Sequence, residues 1–189
     1  MGNTWNTKLI PAILALTLLA SLNSAPARAA DSNAAPTCMG TDSALTIDNE
    51  RALELKNSNS GAAIRANVAG KVERIFKEQC NSKGTCHDHF EIRLGENSDD
   101  VLEVVYSMDF GDLPKLQIGD DVQACGDFIN TNVNPKRGPA SPSGAIIHWV
   151  HRSTCMDHES GFVTINGTLF GFDKDRKNQA CKKGVAPRE

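Results

Sequence analysis

The chain has 189 residues with 20 basic and 23 acidic side chains, a net charge of −3, five histidines and six cysteines. That length fits one domain with a real core, and not comfortably two. The mild acidity argues against non-specific nucleic-acid binding, because phosphate backbones are met by clustered Lys and Arg.

Residues 1–29 read as a secretory signal peptide. Met1 to Lys8 carries one basic side chain, and the apolar run Leu9 to Ala20 follows it. The run is too short to span a bilayer with ease, and the small-residue site Ala27-Arg28-Ala29 comes after it, so cleavage is expected before Ala30. A retained amphipathic anchor is disfavoured, because the run carries no charge and small residues follow it. No cysteine stands at the cleavage point to take a lipid. The expected address is the bacterial periplasm or the exterior. The removed piece holds Lys8, Arg28 and no acid, which leaves 18 basic against 23 acidic side chains and a net charge of −5. No second long apolar stretch exists, so no membrane association is expected after cleavage, and a soluble monomer is.

Residues 30–61 form a lead-in and a short helix. Ala, Asn, Ser and Pro dominate up to residue 41. Asp48 or Asn49 then suits the N-cap of a helix over Glu50–Leu55, which the Asn57-Ser58-Asn59-Ser60-Gly61 run ends. Its apolar content is thin, so it is expected to lie as a flap on the main body.

Residues 62–172 alternate with a period near two, the pattern of half-buried strands. Ile64–Phe76 reads as a long first strand with a bulge at Gly70. His89–Leu94 follows, with Phe90, Ile92 and Leu94 on one face and His89, Glu91 and Arg93 on the other. Val101–Tyr106 is the third strand. Asp121–Ile129 is the fourth, in which Val122, Ala124, Gly126 and Phe128 share a face. Ala145–His151 is the fifth, and Gly161–Gly171 adds a hairpin turned at Asn166-Gly167, a pair suited to a type I′ turn. Five strands with a curved first one indicate an all-β domain with a short N-terminal helix: a small five-stranded barrel like the oligonucleotide/oligosaccharide-binding fold, with an extra C-terminal hairpin. The segment Asp109–Pro114, where that fold often carries a helix, has room for one turn at most. An open sandwich shares the same alternation. Residues 173–189 form a tail tied by Cys181.

The cysteines, Cys38, Cys80, Cys86, Cys125, Cys155 and Cys181, lie in the exported part, so up to three disulfides are expected. Cys80 and Cys86 flank the turn-rich Asn81–Thr85 and make the best pair. Cys155 with Cys181 then ties the tail to the histidine segment and leaves Cys38 for Cys125. Thiolate metal ligation has no Cys-x-x-Cys spacing to support it.

Three histidines, His148, His151 and His158, fall within eleven residues around Trp149. Imidazole suits both metal ligation and proton transfer near neutral pH. His87 and His89 share a strand face if the strand already begins at His87. His148 and His151 differ by three, so they join one site only if a bulge or the strand's end intervenes. With Asp109, Asp157 or Glu159, three such imidazoles could hold zinc or copper at open coordination. Other chemistry is poorly supported: there is no Gly-x-Ser-x-Gly elbow and no phosphate loop. A barrel nuclease would draw on Arg65, Arg74, Arg93, Glu73 and Glu91, but charges on outer strand faces usually form a solvated surface. A purely structural alternative makes Trp149, Phe162 and Phe170 a C-terminal mini-core stapled by Cys155 and Cys181.

The phrases Gly70-Lys71-Val72, His87-Asp88-His89-Phe90, Leu116 to Val122 with Gly126, Ile147-His148-Trp149-Val150-His151, His158 and Gly161-Phe162 carry a resemblance. Over roughly Gly70 to Gly171 the chain resembles the bacterial domain-of-unknown-function family 3465, small exported proteins without an established activity. Two departures stand out. Tyr106-Ser107-Met108-Asp109 replaces a His-Asn-Ile-Asp phrase and keeps only the aspartate, and the loop Asn130–Ser143 is longer. A role for the missing histidine does not carry over.

The expected function is a periplasmic binding or accessory module with a His- and Trp-lined surface. Its ligand-binding or metal candidates are His87, His89, His148, His151, His158, Asp109 and Trp149, and its ligand is a small molecule, a saccharide or a protein. The alternative is a zinc- or copper-dependent enzyme, hydrolytic in type, that uses the same histidines.

Overall fold

The computed structural model of the chain describes residues 1–2, 35–133, 141–153 and 158–172. Residues 3–34, Cys155, Asp157, Cys181, the tip of the 130–143 loop and the tail lie outside the described residues, and with them most of the expected signal peptide and the Cys155–Cys181 pairing.

Among the described residues one helix, α1 (Asn49–Asn57), precedes eight strands. These are β1 (Ile64–Ile75), β2 (Gln79–Cys80), β3 (Cys86–Arg93), β4 (Val101–Ser107), β5 (Asp121–Asn130), β6 (Ala145–His148), β7 (Phe162–Ile165) and β8 (Thr168–Phe170). A 3₁₀ turn, Met108–Phe110, is all that stands between β4 and β5. Hydrogen-bonded neighbours run β1-β3-β4-β6-β5, and β5 pairs back to β1, so five strands close a barrel. The β4–β6 pair is parallel and the others in the ring are antiparallel. Strands β2, β7 and β8 lie outside the ring. The chain is therefore an OB-like barrel with an added hairpin, and not an open sandwich.

Alternation sets the interior. Val68, Val72, Phe90, Ile92, Leu102, Val104, Tyr106, Val122, Ala124, Phe128 and Ile147 point inward into one cluster. The hairpin turns at Asn166 (φ 48°) and Gly167 (φ 79°), both left-handed as a type I′ turn requires. Disulfides join Cys80 to Cys86 and Cys38 to Cys125.

Helix α1 is a plug and not a flap. The Asp48 carboxylate accepts from the Arg51 N–H at 2.9 Å, capping the N-terminus. Ala52 and Leu55 are buried within the barrel core. At the far end of the helix, Asn130 Nδ2 faces the carbonyls of Leu55, Lys56 and Ser58 at 3.0, 2.9 and 3.0 Å, which satisfies groups that a helix C-terminus otherwise leaves open. The helix thus closes the barrel end where β3 finishes and β4 begins.

Three further expectations are corrected. The bulge in β1 falls between Val72 and Arg74, not at Gly70. Gly70 instead lets two backbones touch, since a Cβ there would lie 2.1 Å from the Arg93 carbonyl oxygen. The fifth strand ends at His148, short of His151. The outer face of β3 and β4 is only partly solvated: His89, Glu91 and Glu103 are buried there, beside an apolar patch of Val105, Ile129 and Ile146.

Candidate functional site

The end of the barrel opposite α1 is where β3 begins and where β4 and β6 finish. Alternation on β3 points His87 and His89 outward, with Phe90 inward in the core. On β6, Ile147 points inward, so His148 points outward. The β3 and β6 imidazoles meet there, with the His87 ring centroid 6.3 Å from that of His89 and 5.9 Å from that of His148.

Trp149 explains why β6 stops. Its φ of 57° is left-handed, a conformation costly for a large side chain, and it breaks the alternation that would have sent His151 to the other face. The conformation is held from behind. The Trp149 carbonyl passes so close to Gly161 that a Cβ there would lie 1.9 Å from its oxygen, so the Gly161-Phe162 pair is a packing requirement. The Gly161 N–H donates to the His151 carbonyl at 2.8 Å. With the turn made, His151 stacks on Phe110 at 3.7 Å between centroids and lies 5.3 Å from the Trp149 ring. The indole stays 37 % exposed. It is not the centre of a mini-core: Phe162 packs around the Cys38–Cys125 bridge, and Phe170 packs against the main core.

His158 closes the group from the other side, its ring 4.6 Å from Trp149. Its Nε2–H donates to Asp127 Oδ2 at 2.9 Å and its Nδ1–H to the Glu159 carbonyl at 2.8 Å. Both partners only accept, so this ring is an imidazolium. The Asp127 hydrogen bond accordingly raises its pKa, against the opposing effect of burial. Asp127 also accepts from Arg65 at 3.0 Å. Burial favours the neutral carboxyl of Asp127, but the bonds from His158 and Arg65 outweigh it and hold its pKa below the usual carboxylate range.

Three of the other imidazoles, His148, His151 and His87, have their pKa lowered. Burial pushes His148 down to about 4, helped by His87 and His151. Burial likewise takes His151 down to about 4, although the Arg152 carbonyl, which accepts from Nδ1–H at 2.9 Å, pulls the other way. His87 is lowered by burial and by His89, while Asp109 in the 3₁₀ turn partly offsets this. His89 is fixed by its Nδ1–H, which donates to Glu103 Oε1 at 2.6 Å.

All five histidines therefore gather at one end of the barrel, linked by ring neighbours in the order His89, His87, His148, Trp149, with His151 and His158 flanking the indole. The charge of Asp109 acts on them as well, opposing the lowered pKa of His87 and of His151. Sequence reasoning missed Asp127 and Glu103. Asp127 sits directly opposite His148 in the β5–β6 register, and Glu103 one strand across from His89 and Glu91, so only the pairing of strands makes them visible. Among the described residues, the one group of three donor atoms within 4.8 Å of one another is Glu78, Cys80 and Cys86. Its two sulfurs are bonded to each other, so it holds no metal.

A family model described as "Protein of unknown function (DUF3465)" matches residues 35–171. No curated protein and no solved structure matches the chain.

Proposed function

The chain belongs to the DUF3465 family, whose description carries no activity, and from that premise we propose that it is an exported binding module that takes an uncharged saccharide on the Trp149 face. One observation carries the reading: a tryptophan held in a left-handed conformation, 37 % exposed and ringed by His148, His151 and His158 at 5.8, 5.3 and 4.6 Å. Strain at an exposed aromatic is retained where the surroundings hold it in place, and it marks functional surfaces more often than packing ones. An indole face is a stacking platform, and the imidazoles around it supply donors and acceptors for ring hydroxyls. The platform lies at the rim of the outer face of the second and third barrel strands, β3 and β4, the face with which such barrels bind ligands. Net negative charge disfavours a polyanion. Export rests on the signal-like residues 1–29.

The test uses protein recovered from the periplasm, whose N-terminus is expected at Ala30. Of the two tryptophans, Trp5 would then be gone and Trp149 would report alone. Neutral chito-, malto- and cello-oligosaccharides are titrated against acrylamide quenching of its emission. Protection by one series, absent in Trp149→Ala, is the expected result. Unchanged quenching across all three sinks the saccharide reading, and protection by an aromatic peptide instead replaces the ligand class.

A further inference from the structure

We propose that His87, His89 and His148 form a binding site for one borderline divalent transition-metal ion, copper or zinc, on the outer face of the barrel beside Trp149. The proposal rests on reading this rim as the working surface of the protein, and it adds a cation to it.

The donors come from two strands, β3 and β6, that are not neighbours in the barrel, so local sequence preference does not explain their meeting. Two imidazoles bound to one tetrahedral ion at about 2.0–2.1 Å place their ring centres about 5 Å apart. The His87–His148 and His87–His89 centroids stand 5.9 and 6.3 Å apart. The three nitrogens do not yet lie within 4.8 Å of one another. Closing that gap asks for rotation about χ2, a broad torsion in histidine. For His87 and His148 the rotation breaks nothing, because neither ring has a hydrogen-bond partner among the described residues. Both residues are partly exposed.

His89 has the form that a metal ligand takes. Its Nδ1–H is given to a buried carboxylate, Glu103, which fixes the ring and leaves Nε2 as the free donor. The second carboxylate oxygen of Glu103 is buried with no partner. A carboxylate in that position is costly unless positive charge lies near it, and a cation bound one ring away supplies it. The donors are imidazole nitrogens, and the cysteines among the described residues are locked in disulfides. Such a set suits copper and zinc rather than the oxygen-seeking magnesium or calcium, with copper(II) the tighter of the two. Three protein donors leave a coordination position open beside the indole, whose ring is 5.8 Å from that of His148.

The experiment uses the untagged chain, freed of metal with a chelator, and titrates Cu²⁺ and then Zn²⁺ by calorimetry while Trp149 emission is followed. One equivalent of Cu²⁺ is expected to quench the emission by more than half, and paramagnetic resonance is expected to show coupling to imidazole nitrogens. Zn²⁺ should compete for the same single site. His148→Ala, at a partly exposed position, is expected to weaken Cu²⁺ binding at least 100-fold with an unchanged melting profile. Glu103→Gln should weaken it 10- to 100-fold. Copper affinity unaltered in both His148→Ala and His87→Ala overturns the site, as does binding below one equivalent. Saccharide protection of Trp149 measured on the metal-free protein separates the two readings: protection without metal binding removes the cation alone, and metal binding without protection removes the saccharide alone.

Discussion

The two ends of the barrel are closed by opposite means. At the α1 end, apolar side chains fill the opening and the polar groups are satisfied: Leu55 and Ala52 sit in the core, Asn130 caps the helix carbonyls, and Asn49 bridges the carbonyls of Ala69 and Leu94. At the histidine end the same barrel carries two neutral imidazoles without hydrogen bonds among the described residues, a strained tryptophan and a half-satisfied carboxylate. The first arrangement lowers the free energy of the fold. The second raises it, and such costs persist where a binding surface needs the groups free. The barrel separates the two arrangements along its own axis.

The largest expected effect falls on the plug. Leu55→Ala removes a buried side chain from the core and should cost about 2–5 kcal/mol in chemical denaturation. Trp149 emission and its response to quencher should stay as they were. A change at Trp149 would show that the two ends are coupled and would break the comparison.

Acid should act on the histidine end. His151 is 5 % exposed and its pKa in the fold is about 4, against 6.5 for an exposed imidazole. The unfolded chain therefore takes up a proton below pH 6.5 that the folded chain refuses until about pH 4. Stability contributed by the neutral ring is complete above pH 6.5 and is lost as pH falls through that window. The loss is about 2 kcal/mol by pH 5 for this residue, and His148 adds to it in the same direction. His158 works in the reverse sense, since its raised pKa gives stability that is full below pH 6.5 and is lost as pH rises through the folded value. Urea midpoints at pH 7.5 and pH 5 check the balance, and His151→Phe should flatten the acid side.

The smallest effect concerns the post behind the indole. His158→Gln removes the imidazolium that bridges Asp127 and Trp149. It is expected to cost about 1 kcal/mol, as for a partly exposed ion pair. Trp149 emission should shift to the red while the core is unaffected. An unshifted emission would mean that Gly161 alone holds the indole in place.

Much of this architecture was legible because it is written in short stretches. The Asp48 cap, the inward sets of β3 and β5, the Asn166-Gly167 turn and the Cys80–Cys86 pair each depend on residues within a few positions of one another. The candidate site was legible as a list of rings and not as an arrangement. The spacing of His148 and His151 pointed to a break in the strand, but the left-handed Trp149 that makes it depends on Gly161, twelve positions on. The outer face of β3 looked like a solvated surface because period-two alternation reports only which residues face away from the interior. Burial of Glu91 comes from other segments: the Ser143 hydroxyl donates to it at 2.5 Å and Arg74 reaches it from β1.

By itself the sequence determined the elements, their inward faces and the residue types available for chemistry, because period, caps and turns are local properties of a chain. The tertiary structure alone decided that β6 lies parallel to β4 and antiparallel to β5. That choice sets His148 beside His87 and opposite Asp127, and it follows from burying one continuous core while closing the sheet on itself, a condition that no single segment can express.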